Sequence, residues 1–142
     1  DWNGDGVQTV GVFRPSTAAL YLRNSNTSGP ADLVFLYGVP GDTFVSGDWN
    51  GDGIDTVGVA RVTGDYLVWY LKNSNANGSA DVFFYYGLKT DVPRPGDWDG
   101  NGTDTPGVYR SGVWYARNSL SGGAADQTVI YGAAGDVPLV WR

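Results

Sequence analysis

Asp48-Trp-Asn-Gly-Asp-Gly-Ile-Asp-Thr-Val-Gly-Val59 occurs, with small changes, three times in this chain of 142 residues. Asp1-Trp-Asn-Gly-Asp-Gly-Val-Gln-Thr-Val-Gly-Val12 comes before it, and Asp97-Trp-Asp-Gly-Asn-Gly-Thr-Asp-Thr-Pro-Gly-Val108 after it. Self-similarity at such a period means stacked supersecondary units. The units run 1–47, 48–96 and 97–142 within one repeat domain. Positions are counted here from the first Asp of each copy, so Asp48 holds position one and Thr56 position nine.

Outward from the repeated stretch, the middle unit reads as strands divided by turns. Thr43–Asp48 leads in, Thr56–Arg61 follows the Gly-rich loop, and Tyr66–Lys72 and Asp81–Gly87 complete the unit. Val62-Thr-Gly-Asp65 and Asn73-Ser-Asn-Ala-Asn-Gly-Ser79 have the Gly, Asp and Asn chemistry of turns and loops. Tyr21-Leu-Arg-Asn-Ser25, Tyr70-Leu-Lys-Asn-Ser74 and Tyr115-Ala-Arg-Asn-Ser119 show that all three units follow one path. Four short strands with short turns make each unit an antiparallel meander. Leu33–Tyr37, Leu67–Leu71 and Val82–Tyr86 are apolar without alternation. Both faces of the sheets are therefore expected to be covered, as in radially packed blades.

Composition agrees with an all-β chain. All 15 acidic residues are Asp, and Glu, His, Cys and Met are absent. Asp favours caps and turns, and 22 Gly add turn capacity. Without Cys there is no disulfide frame or thiolate site, and without His the commonest general base is missing. A net charge of −6 argues against a nucleic-acid partner, and no apolar run is long enough for a membrane helix. The start at Asp1 without Met suggests a processed or excised piece.

Gly47-Asp-Trp-Asn-Gly-Asp-Gly-Ile-Asp-Thr-Val-Gly-Val-Ala-Arg61, followed by Trp69-Tyr-Leu, resembles the FG-GAP/VCBS-type repeats of secreted bacterial proteins, especially actinobacterial ones. The resemblance covers essentially the whole chain. It implies a secreted or cell-surface protein of β-propeller blades, as in integrin α-subunits, with the Asp loop joining inner and second strands. On that plan the inner strands are about Thr43–Asp48, Val92–Asp97 and Val137–Arg142. The first unit lacks its own, and the last stretch is an inner strand with no Asp loop after it. The expectation is all-β: three four-stranded antiparallel propeller blades, completed to a six-bladed ring by a second chain. Val137–Arg142 is expected to pair with the strand near Thr9–Arg14 of that chain. The partner is then a second copy in a homodimer, or further blades of a parent chain. A β-trefoil is the alternative, since it also has twelve strands in this length.

The loops raise calcium (Ca2+) as a candidate cofactor. Loop two offers oxygens at Asp48, Asn50, Asp52 and Asp55 or Thr56, and loop three at Asp97, Asp99, Asn101 and Asp104 or Thr105. Loop one offers Asp1, Asn3 and Asp5, with Gln8 or Thr9 beyond. Intervening Gly residues let such side chains converge on one cation, which takes six to eight oxygens. The resemblance implies an acid at position nine, where this chain has Thr. The competing reading is a turn tied by its own side-chain-to-backbone bonds.

Trp69 with Asn73, and Trp114 with Asn118, form candidate carbohydrate-stacking positions, although Leu20 at the same place in unit one favours a core role. Trp2, Trp49 and Trp98 are expected to pack within their own units. Repeated bases at Arg14, Arg61 and Arg110, and at Arg23, Lys72 and Arg117, have repeated acids at Asp42, Asp91 and Asp136 or at Asp32, Asp81 and Asp126 as candidate partners. No catalytic constellation is present. The expected function is a non-catalytic extracellular binding module, lectin-like toward glycan or cell wall. The rival is a structural propeller segment with no small ligand.

Overall fold

The structure, a computed structural model, describes residues 1–140. Every regular element among them is a strand, and there are eleven: β1 (Gly11–Arg14), β2 (Ala19–Leu22), β3 (Leu33–Leu36), β4 (Thr43–Gly47), β5 (Thr56–Thr63), β6 (Tyr66–Leu71), β7 (Val82–Leu88), β8 (Val92–Pro93), β9 (Gly107–Arg110), β10 (Val113–Ala116) and β11 (Gln127–Ile130). They form three separate antiparallel sheets, ordered β1-β2-β3, β4-β5-β6-β7 and β8-β9-β10-β11. Within each sheet consecutive strands are hydrogen-bonded neighbours, which suits their short turns.

The first sheet has three strands and the others four, because no strand precedes β1 to pair with it. β8 is only two residues long, followed by an isolated bridge between Gly96 and Thr105. Pro93 and Pro95 supply no N–H, so the ladder there cannot be continuous. Val137–Val140 forms no strand, contrary to expectation. Among the described residues no strand pairs with it as β5 pairs with β4 and β9 with β8. It lies instead beside the third sheet, where the Pro138 carbonyl accepts the Arg94 Nε–H at 3.1 Å. The rest of that expected strand, Trp141 and Arg142, falls outside the described residues.

Two apolar clusters hold the sheets together. Leu20, Leu22, Phe35 and Tyr37 of the first unit pack with Val57 and Val59 of the second, flanked by Phe13 and Phe44 with ring centroids 5.5 Å apart. Val45, Trp49, Trp69, Leu71, Phe84 and Tyr86 of the second unit pack with Val108 of the third, with Tyr115 at the edge. The same positions serve at both junctions, so the stack advances by one repeated step. Full burial of a side chain such as Leu20 contributes about 1.5–3 kcal/mol. The outer strands depart from the two-faced covering expected of them. Val34 and Leu36 of β3, and Phe83 and Tyr85 of β7, stay exposed while Phe35 and Phe84 are buried. The second strands are the ones buried without interruption, over Thr56–Ala60 in the middle unit and Gly107–Tyr109 in the third.

The nine-residue step from Trp to Gly in the repeat has a packing cause. A Cβ on Gly58 would stand 3.3 Å from the Trp49 ring, and one on Gly11 would stand 3.3 Å from the Trp2 ring. On Gly107 it would strike the Trp98 ring and lie 2.6 Å from the Arg94 carbonyl oxygen. Each Trp ring therefore packs against the second strand of its own unit, as expected from its place in the loop.

Candidate functional site

The recurring chemistry lies at the junctions between sheets and in the Asp loops that border them. Each loop turns through glycines of positive φ at positions four and six: Gly4 and Gly6 at 75° and 84°, Gly51 and Gly53 at 75° and 85°, Gly100 and Gly102 at 75° and 85°. This is backbone that side chains rarely adopt. It aims successive N–H groups at the position-one carboxylate. Asp48 Oδ1 accepts from Gly51 and Asp52, and Oδ2 from Gly53 at 2.7 Å. Asp1 collects Asn3, Gly4, Asp5 and Gly6, and Asp97 collects Asn101 and Gly102. The Asp97 carboxyl is held below its ordinary pKa, first by the Gly102 N–H. Asp5 is likewise lowered, chiefly by the Asn3 side chain.

Positions three and five meet each other. Asn50 Nδ2 donates to Asp52 at 2.9 Å, Asn3 Nδ2 to Asp5 at 3.0 Å, and Asn101 Nδ2 to Asp99 at 3.2 Å. Position nine turns away from the loop: Thr56 and Thr105 hydroxyls face the Gly47 and Gly96 carbonyls at 3.4 Å, and Thr105 also donates to Arg117 at 2.6 Å. Position eight faces the preceding unit. Asp104 accepts the Asp48 N–H at 2.8 Å while its own N–H donates to the Asp48 carbonyl at 2.7 Å. Asp55 does the same to Asp1, accepting its ammonium and donating to its carbonyl at 2.8 Å. Each pair is a two-point clip from one unit to the one before.

The structure thus brings together positions one, three and five of each loop, and takes positions eight and nine elsewhere. Among the described residues no three His, Cys, Asp or Glu side chains form a metal-holding group. A calcium shell needs six to eight oxygens. Three side chains with one mutually bonded pair fall short of it, so the residues present fit a self-tied turn better than a complete cation site.

The sugar-stacking candidates separate. Trp69 has no exposed surface, and its Nε1 donates to the Tyr86 carbonyl at 2.8 Å. Asn73 is exposed on the neighbouring loop, where its N–H is held by Asp81. Trp114 is half-buried beside Trp98 and Tyr109, at centroid distances of 6.1 and 5.2 Å, and its Nε1 donates to the Tyr131 carbonyl. Asn118 accepts from Gln127. One Trp of the two is therefore core, and the other borders an open groove of about 520 Å³ on the third sheet.

The repeated acids and bases pair as a fork at each junction. Arg61 Nε and Nη2 reach the two Asp42 oxygens at 2.8 and 2.9 Å, and Arg110 reaches Asp91 at 2.7 and 2.8 Å. Both guanidinium pKa values are raised, first by these carboxylate bonds. Each Arg also lies over a Tyr ring of its own sheet, Arg61 on Tyr70 and Arg110 on Tyr115. Burial pushes the Tyr37 and Tyr86 phenols, in the two apolar clusters, up to about 12. Compared with protein-family models, with curated proteins and with solved structures, the chain matches none of them.

Proposed function

We propose that the chain is a non-catalytic β-propeller segment whose three sheets are successive blades, and whose work is assembly through its junction surfaces. The observation that carries this reading is repetition of the junction itself. The apolar cluster, the Asp–Arg fork and the position-eight clip all recur from the first junction to the second. Separate sheets with no ladder between them support blades over a trefoil. The Asp pairs of the loops are engaged with backbone N–H groups in every unit, which suits a structural task repeated three times. Placement outside the cell rests on the resemblance of the repeat.

Solution scattering tests the blade reading. Blades turning about one axis give the assembled protein a flat, ring-like distance distribution. An elongated rod would rule the reading out. A lectin-like second reading is favoured by one observation: Trp114, Trp98 and Tyr131 line an open groove with Gln127 and Asp136. A panel of glycans titrated against the assembled protein decides between them, because saccharide binding there would require the groove to remain open.

A further inference from the structure

We infer that the open face of the third sheet is the docking surface for the first sheet of a second copy of this chain, so that two copies close head to tail. The inference rests on the blade reading and names its partner. The face that each sheet offers to the next is buried twice and bare once. Tyr37 and Tyr86 are 5% and 6% exposed, whereas Tyr131, at the same place in the third unit, is 76% exposed. The receiving face behaves in the same way at the other end. Val57 and Val59 are fully buried, but Val10 and Val12, their counterparts in the first unit, are 57% and 61% exposed. An apolar groove and an apolar ridge of matching repeat position thus stand at opposite ends of one chain.

Charge says which partner fits. Asp42 and Asp91 each accept a turn N–H, from Val39 and Leu88, and each grips an Arg. Asp136 accepts the equivalent Ala133 N–H at 2.9 Å, but no Arg reaches it among the described residues. Arg14 rests 4.9 Å from the Tyr21 ring centroid, as Arg61 and Arg110 rest on their own Tyr rings, yet no carboxylate reaches it among the described residues. The groove end holds the acid half of a fork and the ridge end the basic half.

Two smaller features, at Asp97 and at Thr9, agree. Asp97 is exposed, with no position-eight side chain clipping it among the described residues, while the Gln8 amide oxygen at that position in the first unit accepts the Asp1 ammonium of its own chain at 3.1 Å. The Thr9 hydroxyl is buried without a partner among the described residues, where Thr56 and Thr105 meet a carbonyl of the strand before them. A second copy supplies every missing half at once. Two three-bladed chains give six blades, within the usual four to eight, and one two-fold axis relates the two junctions.

The test is charge exchange read by native mass spectrometry, with one partner isotopically labelled. Arg14→Asp alone places acid against acid at both junctions of a pair, and Asp136→Arg alone places base against base. Each is expected to weaken dimerisation by about a hundredfold or more, since like charges at an interface cost several kcal/mol. Mixed, the two variants restore opposite charge at both junctions and should form the labelled–unlabelled dimer. Because each charge is exposed in the lone chain, the variants fold, and recovery on mixing proves it. Lys89→Asp, in the exposed pair with Asp65, should leave the mass unchanged. A wild-type chain that is monomeric with native circular dichroism overturns the second copy while leaving the stacked blades intact. Variants that dimerise alone as well as together overturn the Arg14–Asp136 pairing. A mixed dimer that scatters as a rod would instead keep the partner and remove the blade reading.

Discussion

Asp91→Ala should be among the most costly single changes outside the apolar clusters, and its size can be worked from the junction. The Asp91 side chain is fully buried, and Arg110 keeps 37% of its own surface in water. Truncation removes two charge-assisted bonds to Arg110 and the bond from the Leu88 N–H. Breaking a buried ion pair costs about 3–5 kcal/mol. The low end applies because Arg110 can rehydrate, and this offsets the further ~1 kcal/mol for the lost N–H bond. A total of about 3 kcal/mol lowers Tm by roughly 10 °C in a chain of this size. Asp136→Ala, in the same turn but without an Arg, should cost about 1 kcal/mol where the chain is monomeric. Urea titration of both variants at low protein concentration measures the difference. Equal losses for the two, or a loss below about 0.5 kcal/mol for Asp91→Ala, would refute the fork as the link between sheets.

Gly107→Ala should lose about 2–3 kcal/mol, because its Cβ meets the Trp98 ring and the Arg94 backbone, which cannot both yield; a thermal melt within a degree of wild type would contradict that packing. Alkaline stability should fall between pH 10 and about 12, since burial keeps Tyr37 and Tyr86 neutral past their ordinary value of 10.0. A phenol with a raised folded pKa contributes fully below pH 10 and loses that contribution as pH climbs to the folded value. The Tyr37→Phe, Tyr86→Phe double variant should flatten that limb, and an unchanged pH profile would remove these phenols from the account. Melting curves should coincide in calcium and in chelator, leaving only the self-tied turn. A Tm raised by calcium, by mass action through the loops starting at Asp48 and Asp97, would instead make the loops cation sites.

Much of the fold was legible because the repeat states it three times. Strand order, the loop glycines and the Trp–Gly contact all act within one unit, where sequence spacing is a good guide to distance. That bases and acids recurring in step would pair was also foreseeable, but not which acid meets which base. What escaped the sequence lies between units. Asp55 and Asp104 read as ligands of their own loops, yet they serve the loop before, and only the stacking of sheets brings them there. Trp69 and Trp114 hold one repeat position, but one is core and the other open, since burial depends on whether a sheet follows. The apolar runs of β3 and β7 suggested cover on both faces. Only one face of each last strand enters the junction, through Phe35 and Phe84, so Phe83 and Tyr85 remain in solvent. Val137–Val140 has the composition of a strand but lacks the neighbour that would make it one.

The mass of the 142-residue chain in solution, followed by sedimentation equilibrium over a wide concentration range, tests the complementarity of its two ends most directly. Closure of two copies predicts a single species at twice 15.1 kDa that dissociates only on dilution. A chain that stays at 15.1 kDa with native circular dichroism, or one that adds copies without limit, would contradict it.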